Sequence, residues 1–358
     1  MNTTHQIIIG PSQRMTMIPN NSVQLVVTSP PYPMIAMWDD QFIQQEPTLE
    51  QEINNRPHLA YERMHQLLDI VWQNCYRVLA PGGFLCINIG DATRTINGQF
   101  RLYTNHSRII QACEQIGFTS LPCIIWHKVN NSPNKFMGSG MLPCGAYVTL
   151  EHEYILLFRK GEKRTYSDPD LQASRSASAY FWEERNRWFT DIWEIPGVEQ
   201  RLVGGETRSR SAAYPLEVPY RLIQMYSLQG DTVLDPFLGI GTTQVAAIAS
   251  CRNSIGFEID PSLKTILQRN LTGVRIDEIN ALIKKRYDQH IRFVQEREAK
   301  GKPLKYYHSR WKMKVMTSQE TAIAWYWLKA IDYKPLQSLI NAYYTPLTNP
   351  RELPCFLR

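Results

Sequence analysis

Apolar positions along the chain follow two alternating patterns. Short apolar runs at 22–28, 84–89, 121–127, 153–159, 233–235 and 254–259 predict buried strands. Between them, Met64, Leu67, Leu68, Val71, Trp72, Cys75, Val78 and Leu79 recur at helical spacing over 61–79, and Pro81-Gly82-Gly83 stops that helix. Further helices are predicted over 105–116 (ending at Gly117), 216–228 and 242–249. Strands alternating with helices point to an α/β fold, a mainly parallel Rossmann-like sheet with helices on both faces. Residues 33–60 are polar and irregular and read as a mobile loop. Residues 160–210 break the rhythm with Tyr180, Phe181, Trp182, Arg185, Arg187, Trp188 and Phe189, and read as an insertion outside the sheet. Beyond 275 the pattern is helical: Ile276, Ile279, Leu282, Ile283, Tyr287, Ile291 and Val294 share one face, and Thr317 with Glu320 fits a capping box for a further helix.

Length and composition narrow the class. The chain has 358 residues, enough for one large α/β domain with insertions or for two domains. No apolar run reaches the roughly 18 residues of a membrane span, and Met1 to Gly10 lacks the features of a signal peptide, so a cytoplasmic protein without membrane association is expected. The seven cysteines are scattered without a CxxC pair, which argues against zinc, leaves no metal site expected and fits a reducing compartment. The net charge of +6 is uneven: Arg275 to Arg358 holds 16 Lys/Arg against 8 Asp/Glu. A basic tail on a near-neutral body points to a polyanionic partner or to a solvated helical surface.

Two segments carry the chemistry. The first is Thr28-Ser29-Pro30-Pro31-Tyr32, where the strand over 22–28 must leave the sheet because proline cannot continue a central strand. An exocyclic amine on an aromatic base is a poor nucleophile, its lone pair delocalised into the ring. The Ser29 hydroxyl and Pro30 carbonyl can accept from its N–H bonds and favour a more pyramidal nitrogen, while Tyr32 can stack on the base. The second is Asp235-Pro236-Phe237-Leu238-Gly239-Ile240-Gly241-Thr242-Thr243, a strand, Gly-containing turn and helix start of the nucleotide-binding type. Glu258, at the end of the next strand and about 20 positions on, suits ribose hydroxyls. No Gly-Lys-[Ser/Thr] is present, which excludes a P-loop.

These segments resemble the S-adenosylmethionine-dependent DNA amino-methyltransferases, of the N4-cytosine type and with the permuted, beta-group motif order. Arg77-Val-Leu-Ala-Pro-Gly-Gly83, Ile89-Gly-Asp91, His152 to Phe158, Asp191 to Pro196 and Tyr214-Pro215 agree, and the resemblance spans about 7–272. It implies a permuted Rossmann-like domain with S-adenosylmethionine as cofactor and double-stranded DNA as partner. By position, Ser29, Pro30, Pro31 and Tyr32 would be catalytic, and Asp235, Phe237, Gly239, Gly241, Thr242 and Glu258 would hold the cofactor. The family's small polar residue is replaced by Ile240. Asp91 is expected to cap structure or, alternatively, to orient the amine.

The resulting organisation is a catalytic part over 1–159, a target-recognition insertion over 160–210, a cofactor part over 211–274 and a basic helical C-terminal extension over 275–358. Arg185 and Arg187 are nominated as base readers, and Lys305, Arg310 and Lys312 as phosphate contacts. The expected activity is site-specific methylation of cytosine N4 after base flipping, in a restriction–modification pair with a cognate endonuclease, by a monomer or homodimer. N6-adenine transfer, a silent DNA-binding relative, and transfer to RNA or protein amines remain the alternatives. Transfer to cytosine C5 would need a cysteine such as Cys123, Cys144 or Cys355 after proline and would leave Ser-Pro-Pro-Tyr idle.

Overall fold

The computed structural model describes residues 1–128, 137–138, 141–197 and 214–349. Ten strands among these form one sheet: β1 (Asn2–Ile9), β2 (Val23–Thr28), β3 (Leu79–Ile89), β4 (Phe118–His127), β5 (His152–Lys160), β6 (Ile192–Glu194), β7 (Thr232–Asp235), β8 (Asn253–Glu258), β9 (Tyr326–Lys334) and β10 (Leu339–Pro346). Their spatial order is β6-β4-β5-β3-β2-β7-β8-β1-β10-β9. The central five, β3 to β1, are mutually parallel. Strands β5 and β10 run against their neighbours.

Helices cover both faces: α1 (Asp39–Gln45), α2 (Leu49–Asn55), α3 (Pro57–Val78), α4 (Asn105–Ile116), α5 (Pro169–Ala177), α6 (Trp182–Trp188), α7 (Glu217–Tyr226), α8 (Thr242–Ala249), α9 (Lys264–Thr272) and α10 (Ile276–Ala299). Strand β2 shows why both faces must be covered. Val23 and Val26 pack with Met64, Leu68 and Trp72 of α3, while Leu25 and Val27 pack with Val218, Leu222 and Ile223 of α7 and Ala246 of α8. A strand apolar on both sides is stable only between two layers. The connection after β2 leads to β3 on one side, and that after β7 leads to β8 on the other. The carboxyl ends of the neighbours β2 and β7 therefore flank a topological switch point, the place where open α/β sheets bind ligands.

Four expectations are corrected. Residues 33–60 are not a loop: α1 and α2 are seated on α3 by Phe42, Leu49 and Ile53, three buried anchors in a segment otherwise rich in Gln, Asn and Glu. Pro81-Gly82-Gly83 is an irregularity within β3 rather than a stop before it, and the β2–β3 register shifts there. Gly82 has φ +78, and a Cβ on it would collide with the Arg164 backbone. The insertion is only partly outside the sheet. Its residues 192–194 pair parallel with Ile125, Trp126 and His127 as the edge strand β6, held by the buried Trp193. Residues 198–210 of that insertion lie outside the described residues.

The fourth correction is the C-terminal extension, which is helical only through α10. It continues as a hairpin (Tyr306–His308 with Met313–Val315) and then as β9 and β10 of the main sheet. Ile340, Ala342 and Tyr344 are buried at every second position, the period of a strand. The Thr317/Glu320 capping box is present, on the short 3-10 turn Ser318–Glu320. Residues 350–358 lie outside the described residues.

A buried ion pair ties the insertion to this extension. Arg286 of α10 donates to Glu184 of α6 through Nε (2.6 Å) and Nη2 (2.8 Å), with its guanidinium over the rings of Trp188 and Trp325. Glu184 is 1% exposed, so removing it strands a buried cation. Glu184→Ala is expected to lower unfolding free energy by about 3–5 kcal/mol, measured by urea denaturation.

Candidate active site

The two motifs meet at the switch point. At the end of β2 the Thr28 hydroxyl donates to Asp235 Oδ1 at the end of β7 (2.6 Å), and the Phe237 amide donates to the same oxygen (3.0 Å). Asp235 Oδ2 accepts from the Thr243 hydroxyl in the first turn of α8, and Thr243 in turn bonds the Tyr214 hydroxyl. The carboxyl is 2% exposed, and burial pushes its pKa up to about 6 despite these donors. Sequence position suggests that Asp235 contacts a cofactor. Both its oxygens accept from protein donors, which fasten strand, turn and helix together.

Beyond it lies a cavity of about 340 Å³ lined by Ser29 and Pro31 on one side and by Phe237, Gly239 and Glu258 on the other. The predicted catalytic and nucleotide-binding residues thus share one space. Trp38 and Phe42, from the segment expected to be a loop, close it. Glu258 accepts from the Gly239 amide through Oε2 and from the Asp260 amide through Oε1, both at 2.8 Å. Burial raises its pKa to about 7. Each of its oxygens has a further lone pair, so the group can still receive ligand hydroxyls. Gly241 also meets a packing constraint: at φ +92, a Cβ there would press on Leu267 and Leu271 of α9 at 3.2–3.3 Å. Thr242 begins α8, and neither it nor Gly241 is among the lining residues.

Pro30 and Pro31 are buried, while Ser29 and Tyr32 are half-buried. Ser29 Oγ lies 3.2 Å from the Tyr32 hydroxyl, which donates to Glu153 Oε2 at 2.9 Å. Asn88 Nδ2 reaches Glu153 Oε2 (2.7 Å), the Tyr32 hydroxyl (2.9 Å) and Ser29 Oγ (3.5 Å). Lys128 pairs with the other oxygen of Glu153. Burial first, and the Glu153 charge second, hold the Tyr32 phenol well above its ordinary pKa. Gly90 leaves room for the tyrosine ring, since a Cβ there would approach it to 3.0 Å.

Sequence reading missed Asn88, Glu153 and Lys128. Two signals were available: Asn88 is the polar residue in the apolar run Phe84–Ile89, and Glu153 precedes the apolar run of β5. Asp91 stands apart from this network. It accepts from the His106 amide (3.2 Å) and ring Nδ1 (2.8 Å) in the first turn of α4, a capping role.

The nominated DNA contacts are not gathered around Ser29. Arg185 lines a separate cavity of about 860 Å³ with Gln24, Gly83 and Phe84, at the amino ends of β2 and β3, whereas Ser29 follows the carboxyl end of β2. Arg187 donates to Gln289 of α10 at 3.0 Å. Lys305, Arg310 and Lys312 are exposed on and beside the hairpin whose Trp311 and Met313 pack with Phe181 of the insertion. Among the described residues no group of three or more His, Cys, Asp or Glu side chains could hold a metal ion, and no helix is long and apolar enough to cross a membrane.

A switch-point cavity that joins a nucleotide-type turn to the Ser-Pro-Pro-Tyr turn suits an enzyme of the group-transfer class. The family model described as DNA methylase matches residues 23–269, and the chain belongs to that family of N6/N4 DNA methyltransferases. It is 45% identical over 355 residues to the type II methyltransferase M.MthZI of Methanothermobacter thermautotrophicus, covering 98% of both chains. It is 53% identical over 281 residues to the type II methyltransferase M.MjaI of Methanocaldococcus jannaschii, covering 75% of this chain and 91% of that one. Among solved structures it resembles TTHA0409 of Thermus thermophilus, described as a DNA modification methylase and solved with S-adenosyl-L-methionine. That match has 32% identity and a TM-score of 0.56, over 74% of this chain and 94% of the other.

The Asp235 fastening has a pH signature. Its folded pKa, about 6, lies above the ordinary value of 3.8, so the folded state holds the extra proton. The contribution to stability is complete below about 4 and is lost as pH rises through about 6. Relative to Asp235→Asn, which cannot titrate, the wild type is expected to lose about 3 kcal/mol across that window, read from urea denaturation at a series of pH values.

Proposed function

We propose that this chain transfers the methyl group of S-adenosyl-L-methionine to the N4 amine of cytosine in duplex DNA, as the modification half of a type II restriction–modification pair. The observation that carries this reading is the single cavity shared by Ser29 and Pro31 with Phe237, Gly239 and Glu258. Two substrates bound there lie within reach of each other, and proximity with alignment supplies much of the rate of a direct transfer. Glu258 would take the ribose hydroxyls on its remaining lone pairs, and the Gly239 turn would admit the nucleoside. When bound, the cofactor supplies an electrophilic methyl on sulfur. The protein's part is to receive a base extruded from the duplex, at a cost of a few kcal/mol, to support it with Tyr32, and to accept from its amine at Ser29 and the Pro30 carbonyl. Ser29 supports cytosine, since adenine-directed members of the family it resembles usually carry Asp or Asn at that position.

Two outcomes test this reading. DNA from a methylation-free host expressing the chain is expected to carry N4-methylcytosine at one short motif, by single-molecule sequencing, and Ser29→Ala is expected to reduce the rate by about 10²-fold or more. N6-methyladenine instead would keep the reaction and reassign the base; no modification by folded, cofactor-binding protein would overturn both. Cofactor affinity, measured by calorimetry, is expected to rise with pH up to about 7 and level above it, because the proton on Glu258 competes with the ligand's hydroxyls. Glu258→Gln is expected to weaken binding about tenfold and remove that pH dependence.

A further inference from the structure

We propose that Glu153 is a positioning residue that fixes the direction of a hydrogen-bond chain ending on Ser29, so that Ser29 meets the target amine as an acceptor and the amine's departing proton leaves along the chain. The inference rests on the methyl-transfer reading above.

Tyr32 has one hydroxyl proton, and it is directed at Glu153 Oε2, 2.9 Å away. A carboxylate only accepts, and its other oxygen is engaged by the Lys128 ammonium. The tyrosine oxygen is therefore left as an acceptor toward Ser29, 3.2 Å away, and the Ser29 proton points at it. Asn88 reinforces the same polarity, because its amide group donates to Glu153 Oε2 and to the tyrosine oxygen. With its own proton so engaged, Ser29 Oγ turns lone pairs to the cavity, which it lines. A target amine, a pure donor at its N–H bonds, is matched; an oxo group at that position is not.

The same chain balances the reaction. As the nitrogen bonds to the methyl carbon, the carbon–sulfur bond breaks and sulfur keeps the electron pair. The nitrogen becomes cationic and must lose a proton. That proton passes to Ser29 Oγ, the Ser29 proton to the Tyr32 oxygen, and the Tyr32 proton to Glu153 Oε2. The result is a neutral methylated amine and a protonated Glu153, with every intermediate oxygen restored. Solvent access completes the path: the Glu153 side chain is 13% exposed and that of Lys128 31%.

The test uses the full chain and reads binding as well as turnover. Duplexes carrying the amine base at the target are compared with duplexes carrying its oxo counterpart, uracil for cytosine or hypoxanthine for adenine as the methylated product dictates. The cost of extruding each duplex's base is common to all variants, so ratios between variants isolate Ser29's polarity. Glu153→Gln can donate to Tyr32 and reverse the chain. Its amine-over-oxo preference is expected to fall about tenfold or more, and its single-turnover rate about 10²-fold, with S-adenosyl-L-methionine binding retained. Glu153→Asp, which keeps a carboxylate, is expected to recover much of both. Tyr32→Phe removes the middle of the chain, so its double variant with Glu153→Gln is expected to be no slower than Tyr32→Phe alone. Wild-type preference and rate in Glu153→Gln, or additive losses in the double variant, would overturn the proposal. If Glu153→Gln does not fold, Tyr32→Phe with an unchanged amine-over-oxo preference overturns it. A wild type that methylates no DNA refutes the functional reading itself, a different outcome from a methylating wild type with indifferent variants.

Discussion

Everything at this site depends on one buried carboxylate. Asp235 sits where two neighbouring parallel strands end, and its oxygens hold the Thr28 hydroxyl of one strand, the Thr243 hydroxyl of the following helix and the Phe237 amide between them. The spacing between the Ser-Pro-Pro-Tyr turn and the nucleotide-type turn is thereby set by side-chain geometry instead of by loop length. That matters for a reaction between two bound partners, where displacement of about 1 Å is costly in rate. Hiding the carboxylate is unfavourable, as its raised pKa shows, and only the surrounding donors make the arrangement tenable.

Three of the acidic groups in and beside the crevice divide the labour by their hydrogen-bond partners. Asp235 holds two hydroxyls and a backbone amide of the protein and acts as a fastener. Glu258 bonds two backbone amides and keeps capacity on the cavity side. Glu153 faces a phenol, an amide and an ammonium, and so imposes direction on a row of hydroxyls. Residue type alone would not distinguish these roles; the donors each group faces do.

Much of this was legible in the sequence. Apolar periodicity located α3, α4 and α8 and four of the five central strands, because those elements are buried on a regular face; β1, polar from Asn2 to Gln6, was missed. The two motifs located the crevice because turns with Pro and Gly leave a strong local imprint. What stayed hidden is nonlocal. Asn88, Glu153 and Lys128 join Ser29 only through the packing of β3, β4 and β5 side by side. Helices α1 and α2 rest on three anchors, too few to outweigh a polar segment. The charge of the C-terminal region suggested a helical binding arm, yet its alternating Ile340, Ala342 and Tyr344 make it part of the sheet.

That last arrangement has a consequence for the order of assembly. Strand β1 is flanked by β8 on one side and β10 on the other, with Asn2 opposite Tyr343 and His5 opposite Ser254. As the ribosome delivers the polypeptide, β1 emerges long before Ser254 and Tyr343 and must wait for those distant segments before either edge is paired. An unpaired strand edge is adhesive toward other chains. The early β1 therefore needs protection during synthesis. Its alternation of exposed polar residues with buried Thr3, His5 and Ile7 gives it a single face to shield, where β2 would present two apolar faces.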